Sequence, residues 1–249
     1  MSVYLYGTLW IGAACAGAGL LLLLVYRAGD HERRERNNDV NGLVFAIVGV
    51  LYAIVVGFVV TSQWESVGNA RDAAAQEANG LVQMYWAADA LPAEQRTQVR
   101  ADCLAYGRQV RDVEWPAMSA HETVPVQGQR ILERLGRASR PPASASDSQS
   151  DQLRDALNTV FQNRQQRLAL AHQNLSGMMW FVLFAGGLLT VALAYLFGVP
   201  GRIAHLIMVV SLVGTIGLLL YACFQLQYPF GPATDLGPTA MTSALRVFG

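Results

Sequence analysis

The sequence predicts an all-α integral membrane protein: four transmembrane helices as two hairpins, with a helical soluble bundle between the second and third spans. Three observations predict it. Four apolar runs come near the ~20 residues a helix needs to cross hydrocarbon. Charged residues make up only 14% of the chain, against roughly a quarter in a soluble domain, and they gather between those runs. The long segment between the second and third runs is polar, yet it repeats apolar side chains at helical spacing.

The first span is read at 4–26 and holds no charge. Its lead, MSVYLYG, lacks the basic start of a cleaved signal peptide, so it reads as an anchored helix. A charged short loop, 27–41, leads to the second span at 42–62. The soluble helical segment follows at 63–176. Within it, Ala74, Ala78, Leu81, Tyr85 and Ala88 form one stripe, and Val99, Cys103, Tyr106, Val110 and Val113 form another. Leu153, Leu157, Val160, Arg164, Leu168, Ala171 and Leu175 approximate a third. Trp115-Pro116 is expected to end a helix, because a proline disfavours helical backbone before it. The Ser/Pro-rich stretch at about 139–150 reads as a flexible loop. The helices over 63–80 and 152–175 carry no proline and are expected to run unbroken into their spans. The third span is read at 177–198, then a tight turn, VPGR, then the fourth at 203–224. The tail, 225–249, is Pro/Gly-rich and is expected on the membrane surface, anchored by Tyr228 and Phe230.

All 18 basic residues are arginine, which fits a GC-rich bacterial genome and hence a bacterial cell membrane. Basic residues near the spans (Arg27, Arg33, Arg34, Arg36 and Arg202 against Arg71, Arg164, Arg167 and Arg246) place the two short loops inside. That puts the soluble segment on the extracytoplasmic side by a narrow margin.

Several function classes lack support. A net charge of zero offers no basic patch for nucleic acid. Cys15, Cys103 and Cys223 have neither metal nor redox spacing, and the four histidines are scattered. No phosphate-binding glycine loop, HExxH or nucleophile elbow occurs, so no enzyme, catalytic residue, metal site or cofactor is expected. His205, a turn beyond Arg202, reads as interfacial.

The second span carries the most information. Gly42, Ala46, Gly49, Ala53 and Gly57 form a face of small residues, which serves close helix packing or opens space for a pore. Val50, Ile54 and Phe58 form an apolar stripe, which meets lipid and core or builds a dewetting neck from several copies. Polar ends flank the span: Asp39 and Asn41 before it, where a helix cap is the ordinary role, and Thr61, Ser62 and Glu65 after it. Trp64 suits an interfacial anchor. These features support a homo-oligomer in the lipid bilayer passing a small inorganic ion. The competing class is a non-conducting scaffold or sensor whose soluble bundle binds a partner.

The run NNDVNGLVFAIVGVLYAIVVGFVVTSQWE, followed by LPAEQR, VEWPAM, WFVLFAGGLLTVALAYLFG and YPFGP, resembles the bestrophin-like domain family of bacterial membrane proteins over almost the whole chain. More distantly, VVGFVVTSQW is similar to the pore-helix run of bestrophins, through Gly57, Phe58, Thr61 and Trp64. That resemblance implies a pentameric, anion-selective channel with Val50, Ile54 and Phe58 as the neck, and soluble helices in the cytoplasm, opposite to the arginine count. The chain departs from bestrophins in having no proline between Asn41 and Pro92 and no acidic calcium clasp.

Overall fold

The computed structural model describes residues 2–28, 38–141, 146–197 and 201–248. The centre of the charged loop, the middle of the Ser/Pro-rich loop and the Val199-Pro200 turn fall outside these. All described elements are helical: α1 (Ser2–Ala28), α2 (Asn38–Ala87), α3 (Ala93–Gln109), α4 (Trp115–Ser119), α5 (Gln127–Ala138), α6 (Asp147–Ala171), α7 (Gly177–Ala194), α8 (Arg202–Leu226) and α9 (Thr239–Phe248). A 3₁₀ turn follows α2 at Ala88–Ala90, and a π turn, Val110–Glu114, joins α3 to α4. The chain forms two compact units, residues 1–63 with 174–227 and residues 64–173 with 228–249.

The first unit holds four helices long and apolar enough to cross a membrane, in α1, α2, α7 and α8. Their contacts are made through small residues, as expected where lipid removes the hydrophobic drive between helices. A Cβ at Gly7 of α1 would lie 2.5 Å from the Tyr221 ring of α8, and one at Gly217 of α8 would lie 3.3 Å from Ile11. Tyr52 of α2 sits against Gly186 and Gly187 of α7, with Ile216 of α8 beside Gly187. Asn41 donates its side-chain amide to the Leu196 carbonyl at 3.2 Å. Asn41 therefore lies inside α2, which starts at Asn38, and not in a loop ahead of it. His205 is fully buried within the chain, and its Nε2 lies 3.0 Å from the Ala194 carbonyl. The last carbonyls of a helix lack internal donors, and this histidine reaches one at the end of α7.

The second unit is a helical bundle whose core includes Leu81, Met84, Tyr106, Leu132, Leu135, Leu153 and Val160. Three expectations change here. Pro116 does not end the helix, which continues to Ser119. The π turn before it already breaks the regular backbone ladder, so the missing proline N–H removes little. The same turn inserts a residue into the stripe: Val113 turns outward and Glu114 turns in. The tail is no surface anchor. Phe230, Leu236, Met241 and Ala244 are buried in this core, and Phe230 meets Trp115 edge-to-face. The Trp115 indole donates to the Leu236 carbonyl at 3.1 Å.

α2 runs unbroken through residue 63 to Ala87. The boundaries of α6 differ from those expected. α6 stops at Ala171 instead of running on, because Ser176 starts a new helix by accepting the Met179 N–H. α6 itself begins at Asp147, earlier than the loop reading to 150, with Ser146 and Gln149 forming a reciprocal capping box.

Candidate functional site

The second span divides into two halves along its length. One half carries Tyr52, Val56 and Val59, which pack with Leu183, Ile216 and Cys223 of the same chain. The other half faces away from the chain. Val50, Ile54 and Phe58 are 60%, 50% and 72% exposed. Ala46, Ala53 and Gly57 are exposed beside them, while Gly42 and Gly49 are half-buried. A Cβ added at Gly49 or Gly57 would meet nothing within 4 Å, and one at Gly42 only Phe197 at 3.9 Å. Small residues that pack nothing within their own subunit stay available to another surface. Of the polar ends, Asp39, Thr61, Ser62 and Glu65 are exposed, and Asn41 is engaged with Leu196. Asp39 lies in the first turn of α2, where a carboxylate complements the helix dipole.

The second unit contains a charged cluster that the sequence reading did not single out. Glu77 of α2, Glu114 of the π turn and Arg167 of α6 are completely buried, and Arg164 nearly so. Arg167 grips Glu77 with two nitrogens, Nε to Oε2 at 2.5 Å and Nη2 to Oε1 at 3.0 Å. Its Nη2 also reaches Glu114 Oε2 at 2.7 Å, and its Nη1 lies 3.3 Å from Met118 Sδ. Arg164 Nη1 donates to both Glu114 oxygens at 2.7 and 2.6 Å. The Tyr106 hydroxyl donates a short hydrogen bond to Glu77 Oε1. Two carboxylates thus meet two guanidiniums, and the cluster is neutral as a whole.

Burial opposes charge on Arg167, but Glu77, Tyr106 and Glu114 outweigh it and hold the guanidinium above its ordinary value. Burial, with Glu77 adding to it, pushes the Tyr106 hydroxyl well up. The same causes act on the neighbouring Cys103 thiol, which burial and then Asp102 raise to about 12. A signal for Glu77 exists in the sequence. One buried row of α2, carried on into the 3₁₀ turn, runs Ala70, Ala74, Glu77, Leu81, Met84, Ala88, a four-three alternation with a carboxylate in the seam. Glu114 carried no such signal, because it is inward only by virtue of the π turn. Among the described residues no group of three or more His, Cys, Asp and Glu is placed to hold a metal ion.

Comparison with known proteins adds the following. A family model, the Bestrophin-like domain, matches residues 12–241. No curated protein matches the chain. Among solved structures, a bacterial bestrophin homologue from Klebsiella pneumoniae with a leucine-to-threonine mutation superposes with TM-score 0.72 at 17% identity, covering 96% of this chain and 97% of that one. A second structure of a Klebsiella pneumoniae bestrophin homologue, with an isoleucine-to-threonine mutation, gives TM-score 0.72 at 16% identity, over 96% and 98%. A structure described as a membrane protein with a proline-to-alanine change gives TM-score 0.71 at 16% identity, over 96% and 97%.

Proposed function

Since the chain belongs to the Bestrophin-like domain family, we propose that several copies assemble with α2 around a common axis and conduct small inorganic ions across the bilayer. The observation that carries this reading is the outward half of α2. It sets an apolar stripe beside a small-residue stripe, and the chain's own helices leave Val50, Ala53, Ile54, Gly57 and Phe58 exposed. In the assembly, Val50, Ile54 and Phe58 form an apolar neck that resists conduction when dewetted. Gly42, Ala46, Gly49, Ala53 and Gly57 let neighbouring backbones approach. Asp39 and Asn41 at one end, and Thr61, Ser62 and Glu65 at the other, receive the ion as it sheds or regains water. The likeness to bestrophins favours anions and five copies.

Flux from liposomes tests the reading. Reconstituted protein is expected to release chloride or a monovalent cation, and I54A/F58A to raise that flux by widening the neck. If neither ion passes and the double variant opens nothing, α2 conducts nothing and a scaffold or sensor role takes its place. The arginine count favours an extracytoplasmic soluble unit. An impermeant thiol label on Q129C, an exposed position of α5, reads the side in intact cells. Labelling supports the outside placement, and protection until lysis reverses it.

A further inference from the structure

The face that α2 buries in the second unit is nearly featureless. Ala70, Ala73, Ala74 and Ala78 line it before Leu81. A shift of one helical turn puts Ala74 where Ala70 stood and Ala78 where Ala74 stood. Such a surface allows close approach but resists sliding or turning only weakly, because methyl groups make poor knobs. Gly80 is the steric mark here, since a Cβ there would lie 2.9 Å from Thr159 Cγ2. Glu77 is the chemical one. Its contact with Arg167 has two points and a direction, so it tolerates little rotation or translation. Tyr106 fixes the same carboxylate from α3, and Glu114 holds the other side of Arg167.

A buried ion pair adds little net stability, because desolvation offsets the attraction. What a lone polar group in a helical seam supplies is a unique register. We propose that the Glu77–Arg167 bridge is the register lock of α2: it selects one rotation and one height of this helix against α3 and α6, and Arg167 is a positioning residue for it. The consequence for conduction rests on the channel reading above. Glu77 and Phe58 are carried by the same helix, α2, which is unbroken from Asn38 to Ala87.

The test replaces both partners, E77L/R167M, so that no buried charge loses its partner at Glu77 and Glu114 keeps Arg164. Gly80 stays, which separates charge from shape. Spin labels at Q83C on α2 and N158C on α6, both exposed positions, report the distance between the helices. The background carries C15A, C103A and C223A, and unlabelled chains dilute the labelled ones. The native pair is expected to give one narrow distance. The double variant is expected to fold and to show a second population displaced by up to about 5 Å, one helical turn. The register ratio should fall by about tenfold or more, the worth of one charge-assisted hydrogen bond. If the double variant keeps the single distance, packing alone sets the register and the lock is refuted. If it fails to fold, the pair holds the fold together instead of choosing its register, and the lock is equally refuted. The distance is read without conduction. A displaced register in a protein that passes no ion therefore sinks the channel and leaves the lock standing.

Discussion

Gly128 of α5 faces the Glu114 carboxylate so closely that a methyl group there would overlap Oε1. G128A is therefore expected to push Glu114 off Arg164 and to leave the Arg164 charge buried without its carboxylate. Breaking such a pair costs about 3–5 kcal/mol. A marked fall in melting temperature by scanning fluorimetry in detergent checks it. G177A, where a Cβ would meet nothing within 4 Å, is expected to leave the melting temperature in place. Cys103 gives a second prediction. Its thiol is raised from 9.0 to about 12 in the folded protein, so the unfolded chain gives up the proton first as pH rises. The associated stability is fully present below pH 9 and falls between pH 9 and 12. In a C15A/C223A background, alkylation of Cys103 at pH 9 should require denaturant, and the melting temperature should drop through that window.

At the scale of elements, glycines of two kinds make opposite predictions. Gly187 of α7 receives Tyr52 and Ile216, where a Cβ would lie 3.0 and 3.1 Å from their atoms. G187L overfills that contact and is expected to destabilise the subunit by about 1–3 kcal/mol. Gly57 of α2 has open space within its subunit. G57L should therefore keep the unfolding temperature of the isolated subunit and change only how copies assemble, read by chemical cross-linking in membranes. Unchanged cross-links in G57L would mean that this face meets lipid. Elements of this kind were legible in the sequence to different degrees. Four runs of about the thickness of hydrocarbon announce themselves without any partner, because the bilayer sets their length. The stripe at Ala74, Ala78, Leu81, Tyr85 and Ala88 does pack in the core of the second unit, but Glu77 and Met84 are buried beside it, which the stripe did not include. Alanines on several faces of a helix leave the periodicity under-determined, and a carboxylate looks like a surface residue until its guanidinium is placed beside it.

At the scale of the whole chain, the final segment closes the core of the second unit. Met241 and Ala244 of α9 are buried, Leu245 packs against Gly107, and the Phe248 ring stacks on Tyr85 at 4.6 Å. Arg100 also lies over Tyr85, 4.7 Å from its ring centroid, and bridges Asp89 at 2.7 Å. Ending the chain after Pro238 removes the cover that α9 provides. The second unit is then expected to become sensitive to limited proteolysis, while full-length protein resists under the same conditions. Equal resistance would show that α9 is an addition to a core already closed.

The sequence by itself determined that four segments are apolar enough to cross a membrane, that helices fill the region between the second and third, and that the second span carries two distinct stripes. These follow from composition and spacing along one helix, which need no knowledge of neighbours. Only the tertiary structure decided that Glu77, Tyr106, Glu114, Arg164 and Arg167 form one neutral cluster, that the tail belongs to the core, and that a π turn rotates Glu114 inward. Each of these depends on residues far apart in the chain, or on one extra residue in a helical turn. Burying charge is favourable only once the partner is in place, and local pattern carries no record of that partner.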